Sequence, residues 1–204
     1  MRCRWLVWAA ACGAMLFLVV ACTASSSEAS PSPSTTQSSA SSGSAARLAN
    51  RTVELSCLDG GSGNAPAGAD GPTLGGLIFE GLAGDVEGST PADVGLGVPP
   101  GHPLYFIKAP AWLKGGSAKT TIELPALSGG YLAWVPAPVW TGGGGGIDLT
   151  PWMTSKLVID ACPDRDSTYF GGLLSTDPHI CLTLHVSDAA GHSQQIHVGS
   201  TSRC

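Results

Sequence analysis

Four histidines fall close together near the C-terminal end of the chain: His179, His185, His192 and His197. Imidazole is the commonest side-chain ligand of transition metals, and two histidines across a hairpin can hold one. His185 and His197 fit such a place on the outer face of a hairpin, with His192 in its turn and His179 nearby. No carboxylate completes the set, so solvated surface histidines are expected and not a metal centre. Asp160, Asp164 and Asp166 surround Cys162, and clustered carboxylates serve acid-base chemistry or calcium. The stretch Cys162-Pro-Asp-Arg-Asp-Ser167 is turn chemistry, however, in which Asp has an ordinary backbone role. Gly61-Ser-Gly63 lacks the strand and helix of a nucleophile elbow. The five-glycine run Gly142–Gly146 is followed by no Lys-Ser/Thr, so it is a loop and not a phosphate cradle. No catalytic residue, metal or cofactor is therefore expected.

Trp112, Trp134, Trp140 and Trp152, with Tyr131 and several prolines between them, have the makings of an aromatic platform for a sugar or a partner protein. Trp134 lies in a predicted strand and is expected in the core. Trp140 and Trp152 flank the glycine run and are the candidate ligand surface.

The N-terminal segment carries an address. Arg2 and Arg4 precede an apolar stretch from Trp5-Leu-Val-Trp8 to Leu16-Phe-Leu-Val-Val20, the pattern of an export signal. It closes on Leu18-Val-Val-Ala-Cys22, which resembles the lipobox of bacterial lipoproteins, with aliphatic Val19 three before the cysteine and small Ala21 just before it. The resemblance implies diacylglycerol on Cys22 and cleavage between Ala21 and Cys22, leaving residues 1–21 as the signal peptide. Two acyl chains at ~0.8 kcal/mol per buried CH₂ make a stable anchor. Residues 22–50, rich in Ser, Ala, Thr and Pro, bury too little apolar surface to offset ordering entropy and read as a disordered tether. A flexible coil of about 25 residues spans roughly 25–30 Å. Cys22 thus places the domain on the outer face of the cytoplasmic membrane, in the cell envelope.

Cys57, Cys162, Cys181 and Cys204 remain once the leader and the lipidated residue are set aside. An even set in an exported domain reads as two disulfides, and no C-x-x-C pair favours zinc instead. Four cysteines permit three pairings. A terminal hairpin that brings its ends together favours Cys181 with Cys204, leaving Cys57 with Cys162.

Residues 51–204 suit one domain with a single core. The chain of 204 residues holds 28 glycines and 15 prolines, only 12% charged side chains, and a formal charge of -5. Losing Arg2 and Arg4 makes the mature chain still more acidic, and no basic cluster exists, so nucleic acid is excluded as a partner. Short apolar runs broken by turn residues predict about nine strands: Thr52–Ser56, Gly76–Leu82, Leu104–Lys108, Thr120–Leu124, Tyr131–Val135, Lys156–Ala161, Tyr169–Ser175, Ile180–Ser187 and Gln194–Val198. No run has the longer period of an amphipathic helix. The expected fold is all-β, an antiparallel β-sandwich (Ig-like or similar), stapled by disulfides. In its last hairpin Ile180, Leu182, Leu184 and Val186 face the core, and Ser187-Asp-Ala-Ala-Gly-His192 makes the turn.

The segments ACPDRDSTYFGGLL, PHICLTL and HVGSTSRC resemble exported actinobacterial proteins in which a Cys-Pro, a Gly-Gly between strands, a Pro-x-x-Cys strand and a final cysteine recur. The upstream LYFIKAPAWLKGG and TTIELP have a similar cast, so the likeness covers about Leu104 to Cys204. It implies a shared β-fold and disulfides, and no chemistry. The expected role is that of an envelope lipoprotein, attached to the membrane by its lipid, with a non-enzymatic binding or structural task. A cell-wall glycan or an envelope protein is the expected partner. The alternatives are a wall-associated hydrolase and a metal or ligand carrier.

Overall fold

The computed structural model describes residues 51–64, 71–82, 88–89, 91–99, 104–125, 128–141 and 146–199. Residues 1–21, expected as a signal peptide, residues 22–50, expected as a tether, most of the glycine run and Cys204 lie outside them. In chain order the strands are β1 (Thr52–Leu55), β2 (Gly61–Ser62), β3 (Thr73–Leu74), β4 (Leu77–Phe79), β5 (Leu96–Gly97), β6 (Tyr105–Lys108), β7 (Ala111–Leu113), β8 (Thr120–Glu123) and β9 (Gly130–Val135). A one-turn helix α1 (Ala137–Thr141) follows, then β10 (Ile147–Asp148), β11 (Lys156–Ile159), β12 (Ser167–Ser175), β13 (Leu182–Asp188) and β14 (Ser193–Val198). All nine expected strands form. The five added ones, β2, β3, β5, β7 and β10, have two or three residues, too few to display an alternating pattern.

Two sheets pack face to face. The first has the order β1-β11-β8-β13-β14, antiparallel except where β1 lies parallel to β11. The second is built around β12, whose nine residues pair with β6 and β7 along one edge and with β9 and β2 along the other. Strands β6 and β7 act as one strand: the register from Tyr105↔Ser175 to Leu113↔Ser167 is unbroken, and Ala109 N–H donates to Gly171 O between them at 2.9 Å. Pro110 turns its backbone the other way, toward β4, where its carbonyl accepts the Glu80 N–H at 3.0 Å. β4 and β3 extend this side.

The main core lies between the sheets. Val53, Leu55, Ile122, Leu157, Ile159, Leu184, Val186 and Ile196 from the first sheet meet Leu77, Phe79, Leu113, Leu132, Trp134, Tyr169 and Leu173 from the second. Because successive side chains alternate, the far face of β6, β9 and β12 presents Phe106, Ala133, Val135 and Leu174. These are buried too, in a second cluster closed by Leu96 of β5 and by Leu149 and Met153, which flank the 3-10 turn Thr150–Trp152. β9 is therefore covered on both faces, which accounts for its nearly unbroken apolar run.

Gly171 and Gly172 let this centre close. Gly171 has φ +148°, and a Cβ there would strike the Ala133 carbonyl, while one on Gly172 would fall on the Ile107 carbonyl oxygen. With no side chain at Gly171, which pairs with Trp134, the indole N–H of Trp134 reaches Ala109 O at 3.0 Å. Phe79 packs against the same indole, ring centres 5.9 Å apart. Trp134 is fully buried, as expected of a strand tryptophan.

Polar side chains tie the layers together. Thr154 pairs with Leu132 through backbone bonds of 2.7 and 2.9 Å, and its hydroxyl bonds the Arg51 carbonyl and accepts the Lys156 N–H. Arg51 donates back to the carbonyls of Met153 at 2.8 Å and Thr150 at 3.2 Å. The Tyr169 hydroxyl donates to the carbonyl of Asp160 at 2.8 Å, with that of Ser56 at 3.3 Å. Burial, aided by the charges of Asp59 and Asp160, pushes this phenol up to about 12. A proton held more tightly in the fold contributes stability that is whole below the ordinary phenol value near 10 and is lost as pH rises through the folded value. Tyr169→Phe should cost about 1–3 kcal/mol at neutral pH, by taking from the half-buried Asp160 carbonyl the hydroxyl that bonds it. It should also remove the extra loss of stability that the wild type shows between pH 10 and 12, as urea titrations at several pH values would reveal.

Candidate functional site

Cys57 and Cys162 form a disulfide, with Cα atoms 4.7 Å apart and 105 residues between them in sequence. This is the pairing expected for them. β1 and β11 lie parallel in register, so both chains leave the sheet in the same direction and bring the two cysteines together. Cys162 is buried, and its sulfur has no proton once oxidised, so the Ser167 hydroxyl donates to it at 2.9 Å. Asp59 fastens the turn beside Cys57 by accepting both the N–H and the hydroxyl of Ser56 at 2.7 Å. Arg165 donates to the Cys57 carbonyl at 3.3 Å. Cys181 is also disulfide-bonded, and its expected partner Cys204 lies outside the described residues.

The acidic trio around Cys162 does not converge. Asp160 pairs with Lys119 at 3.2 Å, and Asp166 accepts the Gly115 N–H at 2.9 Å. Both serve to anchor the loop between β7 and β8. The hairpin histidines share the outer face but are not opposite one another. The register sets His185 opposite Gln195 and His197 opposite Thr183, so the two rings are one step out of line, and His197 Nδ1 lies 3.1 Å from the Thr183 hydroxyl. Glu123 is the residue of β8 beside His185, and its carboxylate pairs with Lys156 at 2.6 Å. Among the described residues no group of three His, Cys, Asp or Glu is placed to hold a metal.

His192 serves the hairpin turn. Its ring Nδ1 lies 2.7 Å from Asp188 Oδ2, and the other carboxylate oxygen accepts the N–H groups of Ala190 and His192 at 2.9 Å each. The bond from the His192 ring, helped by these backbone donors, holds the Asp188 carboxyl below the usual carboxylate range. A lowered value contributes stability that is present above the unfolded carboxylate value and lost as pH falls through the folded one. Asp188→Ala should strip hydrogen-exchange protection from the Ala190 and His192 amides while leaving the centre of β12 protected, and acid should do the same to the wild type.

Trp140 and Trp152, the candidate ligand surface, are both half-buried and pack against the second core cluster. Trp140 stands on α1 and stacks on Phe170 of β12, ring centres 5.9 Å apart and planes within 12°. Phe170 is the one of these aromatics that the sequence did not single out. Trp152 also touches the main cluster. Each indole thus spends much of its surface on the fold, while Val139 of α1 is exposed.

A concavity of about 580 Å³ opens where β9, β12 and β13 end, lined by Ser128, Ser175, Thr176, Asp177, His179 and Cys181. Asp177 accepts the His179 backbone N–H at 2.9 Å, Ser175 Oγ accepts the Asp177 N–H at 3.0 Å, and the Thr176 hydroxyl donates to Gly129 O at 3.1 Å. Serine, aspartate and histidine meet here, and these side chain–backbone bonds build a turn. What the groove offers a ligand is hydroxyl and carboxylate oxygen and the imidazole of His179. Its residues come from loops far apart in sequence, and only the fold reveals their meeting. No family model, curated protein or solved structure matches this chain.

Proposed function

We propose that this chain is the precursor of a bacterial cell-envelope lipoprotein, cut before Cys22 and held at the outer face of the membrane by lipid. Its β-sandwich then serves a non-enzymatic binding or structural role toward wall glycan or an envelope protein. The C-terminal cysteine pattern groups it with the exported actinobacterial proteins that it resembles. The observation that carries this reading is the Cys57–Cys162 disulfide. Disulfides form and persist in oxidising compartments outside the cytoplasm, where the lipobox would send the domain. A structural role is further supported by how the reactive side chains are used. Ser167 serves the disulfide, Tyr169 two carbonyls, Asp188 a hairpin and Asp166 a loop.

Cell fractionation tests the placement. The wild-type chain should sediment with membranes and stay there in high salt, whereas Cys22→Ala should appear as uncleaved precursor or as released protein. Wild type found wholly in the soluble cytoplasm would refute it.

A further inference from the structure

We infer that β14 is a self-association edge, through which two copies of this chain pair their five-stranded sheets into one continuous sheet. Among the described residues β14 ends the first sheet, with β13 on one side and no strand on the other. It has six residues and pairs with β13 one-for-one, without a bulge, from Ser193 to Val198. Exposed edges in natural sheets are ordinarily blunted by lysine, proline, an inward charge, a bulge or extreme shortness. Ser193-Gln-Gln-Ile-His-Val198 has none of these. The other end of the sheet differs: β1 is shorter and carries Glu54.

The hydrogen-bond pattern shows which groups face the open edge. Asp188 N–H donates to His192 O at 3.0 Å, so this is a bonded pair closing the hairpin. Bonded and non-bonded pairs alternate along an antiparallel ladder. The bonded partners of β13 are therefore Gln194, Ile196 and Val198, and the backbone groups of Ser193, Gln195 and His197 point outward. The pairing of β13 with β8 agrees, since His185 and Ser187 turn their backbones to β8.

This row suits a second copy of itself. In an antiparallel arrangement centred on Gln195, the outward groups of Gln195 meet the partner's Gln195, and those of Ser193 meet the partner's His197. All the outward residues then exchange hydrogen bonds. No side chain on β14 is a Lys, Arg, Asp or Glu, so neither copy repels the other along the seam. A two-fold contact of this kind consumes both β14 edges and stops at a dimer. The inference uses only the hairpin and holds whatever Cys22 carries.

In-cell photo-crosslinking of the full chain tests it, with a photoreactive phenylalanine analogue in place of His197. The expected product is a species of twice the mass containing only this chain. Gln195→Pro removes one outward N–H and spares every bond to β13, so it should abolish the product while the Cys57–Cys162 bond still forms. Gln195→Lys, which leaves the backbone unchanged, sets two positive charges face to face across the two-fold axis and should abolish it also. Co-expressing the Gln195→Lys and Gln195→Glu chains should restore it. A product that links this chain to a different protein, a product that survives both single substitutions, or a failure of the charge-swapped pair to restore it overturns the inference.

Discussion

Replacing Gly172 with alanine is expected to prevent the domain from folding, with a loss of more than about 4 kcal/mol, at the top of the range for one substitution. The cause is backbone and not side-chain crowding. A Cβ on Gly172 would fall on the carbonyl oxygen of Ile107, in the strand to which Gly172 is paired. No rotamer relieves the overlap, so β6 and β12 must part, and both core clusters are packed on those strands. Gly171→Ala is expected to be nearly as severe, since the added methyl meets the Ala133 carbonyl and the Trp134 backbone in a conformation that L side chains rarely adopt. The control is Gly191→Ala. This turn glycine also has positive φ, but nothing lies within 4 Å of its would-be Cβ, so only about 1–2 kcal/mol of backbone strain is expected. Urea titration of the three variants would separate close approach from conformational preference.

Removing the Cys57–Cys162 bond is the second large effect. The bond spans 105 residues, and the chain-entropy model assigns about 4.7 kcal/mol to a loop of roughly 100 residues. Replacing both cysteines with alanine should therefore cost about 3–5 kcal/mol, a large share of the ~5–15 kcal/mol that single domains possess. The loss should show as a lower urea midpoint in the variant. Reductant should lower the wild-type midpoint and have a smaller effect on the variant, which keeps only the disulfide of Cys181. Equal midpoints for the variant and the oxidised wild type would mean that the bond contributes nothing.

How much of this could be read beforehand depended on distance along the chain. Strands such as Thr120–Glu123 and Leu182–Asp188 announce themselves by local alternation, and the hairpin turn at Asp188 by its turn residues. The Gly-Gly of β12 is visible as a pattern, but its reason lies in β6 and β9, dozens of residues upstream. The parallel pairing of β1 with β11 joins segments about a hundred residues apart and leaves no mark in either. The Cys57–Cys162 bond came through because few cysteines remained to choose among. Histidine placement did not, because a shift of two residues in register moves His197 from opposite His185 to opposite Thr183 while keeping it on the same face. The serine, threonine and aspartate of the groove look like ordinary loop residues until two loops are brought together.

The most direct test of the lipoprotein reading is the intact mass of the protein purified from membranes of its own host. The expected mass is that of a chain beginning at Cys22 and carrying a diacylglyceryl group, with Cys57 and Cys162 joined. A chain that still carries residues 1–21, with Cys22 as an unmodified thiol, would contradict it.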